Sequence, residues 1–222
     1  MLYTQQQVQE NLRNRDGKRV FYLGKRDQLT SGARDFLARE RIEILPAEQA
    51  RPQRYRLEGG GYLEEKPEHM THLHGDVLVS KTHPRIAFRG MVDTLEAELL
   101  LAQLALPGWR EELGQVLDLV RMILRCEVLE EPLEESLLCG MTAQQLREHS
   151  HRPQDFYGQP HFMPKADDGP EVLRLNKLRC LTRHAERAAV AAVPARTDLL
   201  RALNRMSSLL YILMIRQKAG KM

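Results

Sequence analysis

The chain has 222 residues, 42% of them hydrophobic and 28% charged, which is enough for one globular domain with a sizeable core and a small accessory piece. Its 33 basic and 30 acidic residues leave a formal net charge of +3, which excludes the concentrated basic footprint that nucleic-acid binding needs. The three cysteines, Cys126, Cys139 and Cys180, stand far apart and form no CxxC, which excludes a disulfide framework and suits a reducing cytoplasm.

The opening stretch, MLYTQQQVQENLRNRD, has no apolar h-region, so no secretory signal is expected. A first helix is predicted from Thr4, as N-cap, to about Arg13. The β-prone VFYL at 20–23 ends at Gly24, Thr30 or Ser31 opens a short helix through Ala38, and 42–45 reads as a second strand. Residues 1–46 thus form a small β-α-β accessory unit. The polar stretch that follows, with Arg51-Pro52 and Gly59-Gly60-Gly61, reads as a linker over 47–67.

From Ile86 the pattern is helical. Ile86, Met91, Leu95, Leu99 and Ala102 make a stripe that Pro107-Gly108 ends. Leu113, Val116, Leu117, Val120, Leu124 and Val128 make a second, which runs until Pro132. Thr142 caps a short helix through His149, and a helix-poor segment with Pro153, Pro160 and Pro164 follows. Two last helices span about 170–192 and 197–217, divided by Pro194. The run MSSLLYILMI at 206–215 is about half the ~20 residues a membrane helix needs, so it reads as the buried turns of a core helix. Residues 68–222 are therefore predicted to form a mainly α bundle of four or five antiparallel helices.

Three groups of residues could carry chemistry. Arg179, Arg183, Glu186 and Arg187 stand at i, i+4, i+7 and i+8, so a helix puts them on one face. Guanidiniums there match the oxygens of a polyphosphate, and they could equally be a solvated face of Arg–Glu pairs. Asn204, Ser208 and Tyr211 share a face inside an apolar segment, where polar groups either bridge helices or line a pocket. His69, His72, His74 and Asp76 could ligate a metal; the same loop, with Thr71, Gly75 and a following Lys81, could wrap phosphates through backbone N–H groups.

Taken in order, THLHGDVLVSKTHPRIAFRGMVDTLEAEL (71–99), LNKLRCLTRHAER (175–187) and LRALNRMSSLLYILMI (200–215) resemble the cobalamin adenosyltransferases of the PduO/EutT superfamily, with the ethanolamine-utilisation (EutT) branch nearest. LTSGARDFLARERIEI (29–44) is EutT-like as well. The resemblance implies a five-helix bundle of the ferritin-like up-down type. It implies a homotrimer with composite sites between subunits, cytoplasmic or inside a bacterial microcompartment and not attached to a membrane. The substrates would be ATP with Mg²⁺ and cobalamin, and a cobalamin reductase and an adenosylcobalamin-dependent lyase would be partners.

By position, the resemblance assigns Thr71, His72, Gly75, Asp76 and Lys81 to the ATP loop. Arg183, Glu186, Arg187 and Asn204 would contact the nucleotide, and Asp93 would pair with Arg179 across the subunit boundary to order the site. Phe162, with Tyr157 and Phe156, would lie against cobalamin and displace its lower axial ligand. Some EutT proteins carry a His…Cys-Cys-x-x-Cys metal motif between the N-terminal unit and the ATP loop. Residues 46–68 here hold no cysteine, so no dedicated metal site is expected. Two readings stand against this one: a helical interaction protein whose arginine stripe binds a partner helix, and a metal-dependent hydrolase using His69, His72, His74 and Asp76.

Overall fold

The computed structural model describes residues 1–15, 18–50, 55–60, 62–63 and 66–220. It divides into two units, Met1–Lys66 and Pro67–Met222.

In the first unit, β1 (Leu2–Tyr3) leads into α1 (Gln5–Glu10), capped as predicted by Thr4, whose hydroxyl accepts from Gln7 N while the Gln7 side chain accepts from Thr4 N. The helix stops at Glu10 rather than near Arg13, because the chain turns into β2 (Arg13–Arg15), which pairs antiparallel with β3 (Lys18–Leu23). After β4 (Gln28–Leu29), Thr30 caps α2 (Ser31–Arg39), and β5 (Glu43–Pro46) returns parallel to β3, completing the predicted β-α-β unit. Val8, Phe21, Ala33, Phe36, Leu37 and Ile42 form its core. The stretch read as a linker carries local structure among its described residues. A 3-10 turn spans Ala47–Gln49, and β6 (Tyr55–Leu57) pairs antiparallel with β7 (Tyr62–Leu63). Arg51, Pro52 and Gly61 lie outside the described residues.

The second unit is mainly helical, as the periodicity predicts. It opens on a hairpin of β8 (Met70–His74) and β9 (Val77–Ser80), with Gly75 at φ +51 in the tight turn, a backbone conformation that favours glycine. The ladder shifts register between His72 and His74, yet Leu73 between them is buried and both histidines are exposed, the alternation expected of HxH in a strand. Five helices of nine residues or more follow: α3 (Pro84–Ala105), α4 (Arg110–Leu129), α5 (Ala143–His151) and, beyond the short α6 (Pro153–Tyr157), α7 (Gly169–Ala192) and α8 (Thr197–Lys218). Thr142 caps α5 with a full capping box to Gln145. Phe88, Leu95, Leu113, Ile123, Leu175, Leu203 and Leu213, with their neighbours, close one continuous core, each such side chain contributing about 1.5–3 kcal/mol on burial.

Two predicted stripes are corrected. On α3 the buried face runs Phe88, Val92, Leu95, Leu99 and Ala102. Met91 is only partly buried, and Ile86 instead packs on Leu73, Val77 and Val79 of the hairpin. On α4 the buried face passes from Val120 to Ile123, Cys126 and Glu127, leaving Val128 37% exposed and Leu124 half-buried. The shift has a physical cause: the end of α4 turns Glu127 inward to meet two arginines of α3. No described helix is long and apolar enough to cross a membrane.

Candidate functional site

The hairpin is anchored by charge. Glu127, whose side chain has no exposed surface, accepts from Arg85 Nε with one carboxylate oxygen and from Arg89 Nε at 2.7 Å with the other. Arg85 Nη2 also donates to the Glu127 carbonyl at 2.8 Å, and Arg89 Nη1 donates to the Leu73 carbonyl at 2.9 Å, tying strand β8 to α3 and α4. One buried donor of this group, Arg89 Nη2, has no partner among the described residues. Arg85 further binds Glu130 at 2.9 Å, and that bond, the largest cause, holds the Glu130 carboxyl below the usual carboxylate range. The signal in the sequence for this group is Glu127, a carboxylate beside the apolar stripe of α4.

The hairpin presents the predicted loop residues outward. Thr71 is half-buried opposite Val79, while His72, His74, Gly75 and Asp76 are exposed. Lys81 is exposed and pairs with Glu68 at 3.0 Å. Among the described residues no group of three or more His, Cys, Asp or Glu side chains could hold a metal ion.

The predicted face of α7 is real. Val172, Leu175, Leu178, Thr182, Ala185 and Ala189 take the buried side, leaving Arg183 and Arg187 exposed and Arg179 and Glu186 half-buried. Glu186 forms no ion pair with an arginine among the described residues; its Oε1 accepts from Asn204 Nδ2 of α8 at 2.8 Å, and Asn204 Oδ1 accepts from Arg205 Nη2 at 2.8 Å. Arg179 donates twice to Asn176 Oδ1, at 3.2 and 2.9 Å. Asp93 is exposed and makes no ion pair with any described residue, so the two expected partners Asp93 and Arg179 do not meet within one chain.

Arg179 and Arg183 open into a cleft of about 260 Å³, shared with Ser208 and Tyr211 of α8 and with His151 and His161. The histidine was missed from sequence and its role is now readable. His161 Nε2 lies 3.1 Å from the His151 carbonyl, which can only accept, so that nitrogen carries a hydrogen; in the neutral ring Nδ1 then accepts from Tyr211 Oη at 2.9 Å. The predicted aromatics separate. Phe162 packs on the core near Tyr211, with Lys218 Nζ 4.3 Å from its ring centre. Phe156 stacks on His149, and Tyr157 Oη bonds His149 Nδ1 at 2.8 Å. Phe162 thus stacks on Tyr211, a residue that lines the arginine cleft.

The second unit is thus a mainly helical unit whose α7 and α8 share an arginine-lined cleft, with the Glu186 carboxylate bonded to the Asn204 amide beside it. The chain belongs to the cobalamin adenosyltransferase family, whose model matches residues 61–217. It is 32% identical over 157 residues to the corrinoid adenosyltransferase EutT of Salmonella typhimurium strain LT2, a match covering 68% of this chain and 59% of that protein. It is also 32% identical over 160 residues to the corrinoid adenosyltransferase EutT of Escherichia coli K12, covering 69% of this chain and 60% of that protein. The chain thus spans 59–60% of the length of these curated relatives.

Proposed function

We propose that the chain is an ATP:cob(I)alamin adenosyltransferase of the EutT type that serves ethanolamine utilisation. The observation that carries this reading is the cleft joining Arg179 and Arg183 to Ser208 and Tyr211, in a chain of the cobalamin adenosyltransferase family. The Co(I) centre donates its electron pair to C5′ of ATP, the C5′–O bond breaks, and triphosphate leaves with the bonding pair. No protein nucleophile or general base is needed. The protein has to hold C5′ over cobalt and stabilise charge on the departing oxygens, and arginines suit that task.

In this reading Arg183 and Arg187 hold the triphosphate, and Asn204 orients the Glu186 carboxylate through its 2.8 Å bond. Mg²⁺ when bound would neutralise triphosphate charge, and a half-buried Glu186 with one oxygen left over fits as its ligand, because Mg²⁺ takes one or two carboxylates beside substrate phosphates. Thr71, His72, Gly75, Asp76 and Lys81 would close over the nucleotide from a neighbouring copy in a trimer of five-helix bundles, with Asp93 meeting the Arg179 of that copy. Phe162 would press on the cobalamin face that loses its lower ligand. Residues 1–46 would remain an accessory unit.

The test is direct. Purified chain, chemically reduced cobalamin and Mg²⁺-ATP are mixed without oxygen, and the adenosylcobalamin spectrum and released triphosphate are followed. Product from both readouts supports the proposal, and a folded chain that forms neither overturns it.

A further inference from the structure

A second cleft, of about 560 Å³, opens between α5 and α8. Its walls are strongly cationic. Arg147 and His151 stand four residues apart on α5, and Arg201 and Arg205 four apart on α8, so each pair projects from one face of its helix toward the other pair. Arg152, just past the end of α5, adds a further guanidinium.

The countercharges are few and mostly turned elsewhere. Glu148, on the same wall, accepts from Gln144 Nε2 at 2.9 Å. Arg152 pairs with Asp155, and Arg201 only approaches Glu135, at 3.8 Å with both side chains more than 60% exposed. Neither Arg147 nor Arg205 forms an ion pair with any described residue, and the one hydrogen bond of Arg205 goes to a neutral amide oxygen of Asn204. Burial first, and then the charges of Arg147 and Arg201, hold the Arg205 guanidinium below its usual range, with Glu186 acting in the opposite sense. Like charges crowded across a cleft, with a half-buried member among them, oppose folding unless something anionic sits between them.

We propose that the cleft between α5 and α8 is a second binding site, for a phosphate-bearing anion held by Arg147, Arg201 and Arg205. Forked guanidinium donors match phosphate oxygens bidentately, which explains arginine rather than lysine at these three positions. The site adjoins the one described above, because His151 lines both clefts. It is also bonded to it: Arg205 holds Asn204, and Asn204 holds Glu186, each at 2.8 Å. An anion that draws Arg205 toward itself therefore shifts the amide that orients Glu186.

Two sources share this chemistry. One is a free polyphosphate, and the other is the phosphodiester in the nucleotide tail of a cobalamin whose ring lies in the neighbouring cleft. The second source rests on the proposed function; the first does not.

The experiment titrates the full chain calorimetrically with sodium tripolyphosphate, with hydroxocobalamin, and with cobinamide, which lacks the nucleotide tail. The wild type is compared with Arg147→Gln/Arg201→Gln, with Arg183→Ala, and with a charge-matched control, Arg34→Gln/Arg39→Gln on α2. Thermal melts check that each variant folds. The Arg147/Arg201 variant should lose about tenfold or more in affinity, since each charge-assisted contact removed is worth on the order of a decade. A loss for tripolyphosphate identifies the free anion, and a loss for hydroxocobalamin but not cobinamide identifies the tail. If the wild-type chain makes no adenosylcobalamin, yet its tripolyphosphate binding survives Arg183→Ala and is lost in the Arg147/Arg201 variant, the cleft stands although the proposed function falls. Unchanged affinity for all three ligands in the folded Arg147/Arg201 variant overturns the inference, and so does an equal loss in the α2 control.

Discussion

Arg89 donates to Glu127 across the α3–α4 contact at 2.7 Å, and Arg89 also holds the Leu73 carbonyl of β8, so one buried carboxylate on α4 fixes the position of a hairpin that precedes α3 in the chain. The Glu127 side chain is fully buried, while Arg85 and Arg89 keep 14% and 16% of theirs exposed. Removing the carboxylate strands two nearly buried guanidiniums, a change that costs about 3–5 kcal/mol where partners are fully desolvated. The residual exposure of the arginines places Glu127→Ala at the lower end, about 3 kcal/mol, measurable in denaturant midpoint. Amide exchange at 70–80 should rise more than exchange in α7. A variant as stable as wild type would show that the pair does not anchor the hairpin.

Arg183 is exposed and lines the cleft with Arg179, so its truncation leaves the core intact. Arg183→Ala should lower adenosylation by about 10²-fold or more, as removal of an oxyanion donor does, with an unchanged melting temperature. Turnover within a few-fold of wild type would take Arg183 off the leaving group.

Asp93 has no ion-pair partner among the described residues and sits on the exposed side of α3. Asp93→Asn should leave protomer stability within about 0.5 kcal/mol, as expected for an exposed site. It should weaken ATP binding about tenfold if the carboxylate meets Arg179 of another copy. Calorimetry on Asp93→Asn, Arg179→Gln and the double variant checks this, because a shared pair makes the two losses non-additive.

The exposed His74 stands on the hairpin with no described metal cluster around it. Protein dialysed against a chelator and resupplied with Mg²⁺ alone should retain activity, and His74→Ala should change turnover by less than about threefold, since its charge acts only on Glu130 at an exposed site, where such interactions are weak. Activity that returns with Fe²⁺ or Zn²⁺ and not with Mg²⁺ would assign the histidines to a metal.

Asp198, in the first turn of α8, accepts from Arg196 at 2.8 and 3.0 Å and from Leu133 N at 2.9 Å. The Arg196 hydrogen bonds, foremost, hold its carboxyl well below the usual range, against the opposing effect of burial. A depressed carboxylate stabilises the fold above its unfolded pKa, near 3.9, and that contribution fades as pH falls toward the folded value. Asp198→Asn should therefore cost about 1.5–3 kcal/mol at neutral pH, and the gap to wild type should narrow steadily below about pH 4. A gap that stays constant with pH would mean that the carboxylate charge contributes nothing.

The sequence by itself determined what is local. Thr4, Thr30 and Thr142 cap their helices because a hydroxyl reaches an N–H three residues on, whatever the rest of the chain does. Arg179, Arg183, Glu186 and Arg187 share a face because a 3.6-residue turn puts them there, and the ordered motifs of 71–99, 175–187 and 200–215 carried the family resemblance before any fold was known. The tertiary structure decided which of two adjacent stripes turns inward. Phe88 and Val92 displaced Met91, and Glu127 took a place that Val128 was expected to share, because a wide apolar face can rotate by one residue and only the neighbouring helix selects the angle. It also decided the pairs far apart in sequence: Glu186 with Asn204 and His161 with Tyr211. No spacing rule encodes such pairs, since they form only when packing brings distant faces within hydrogen-bond reach.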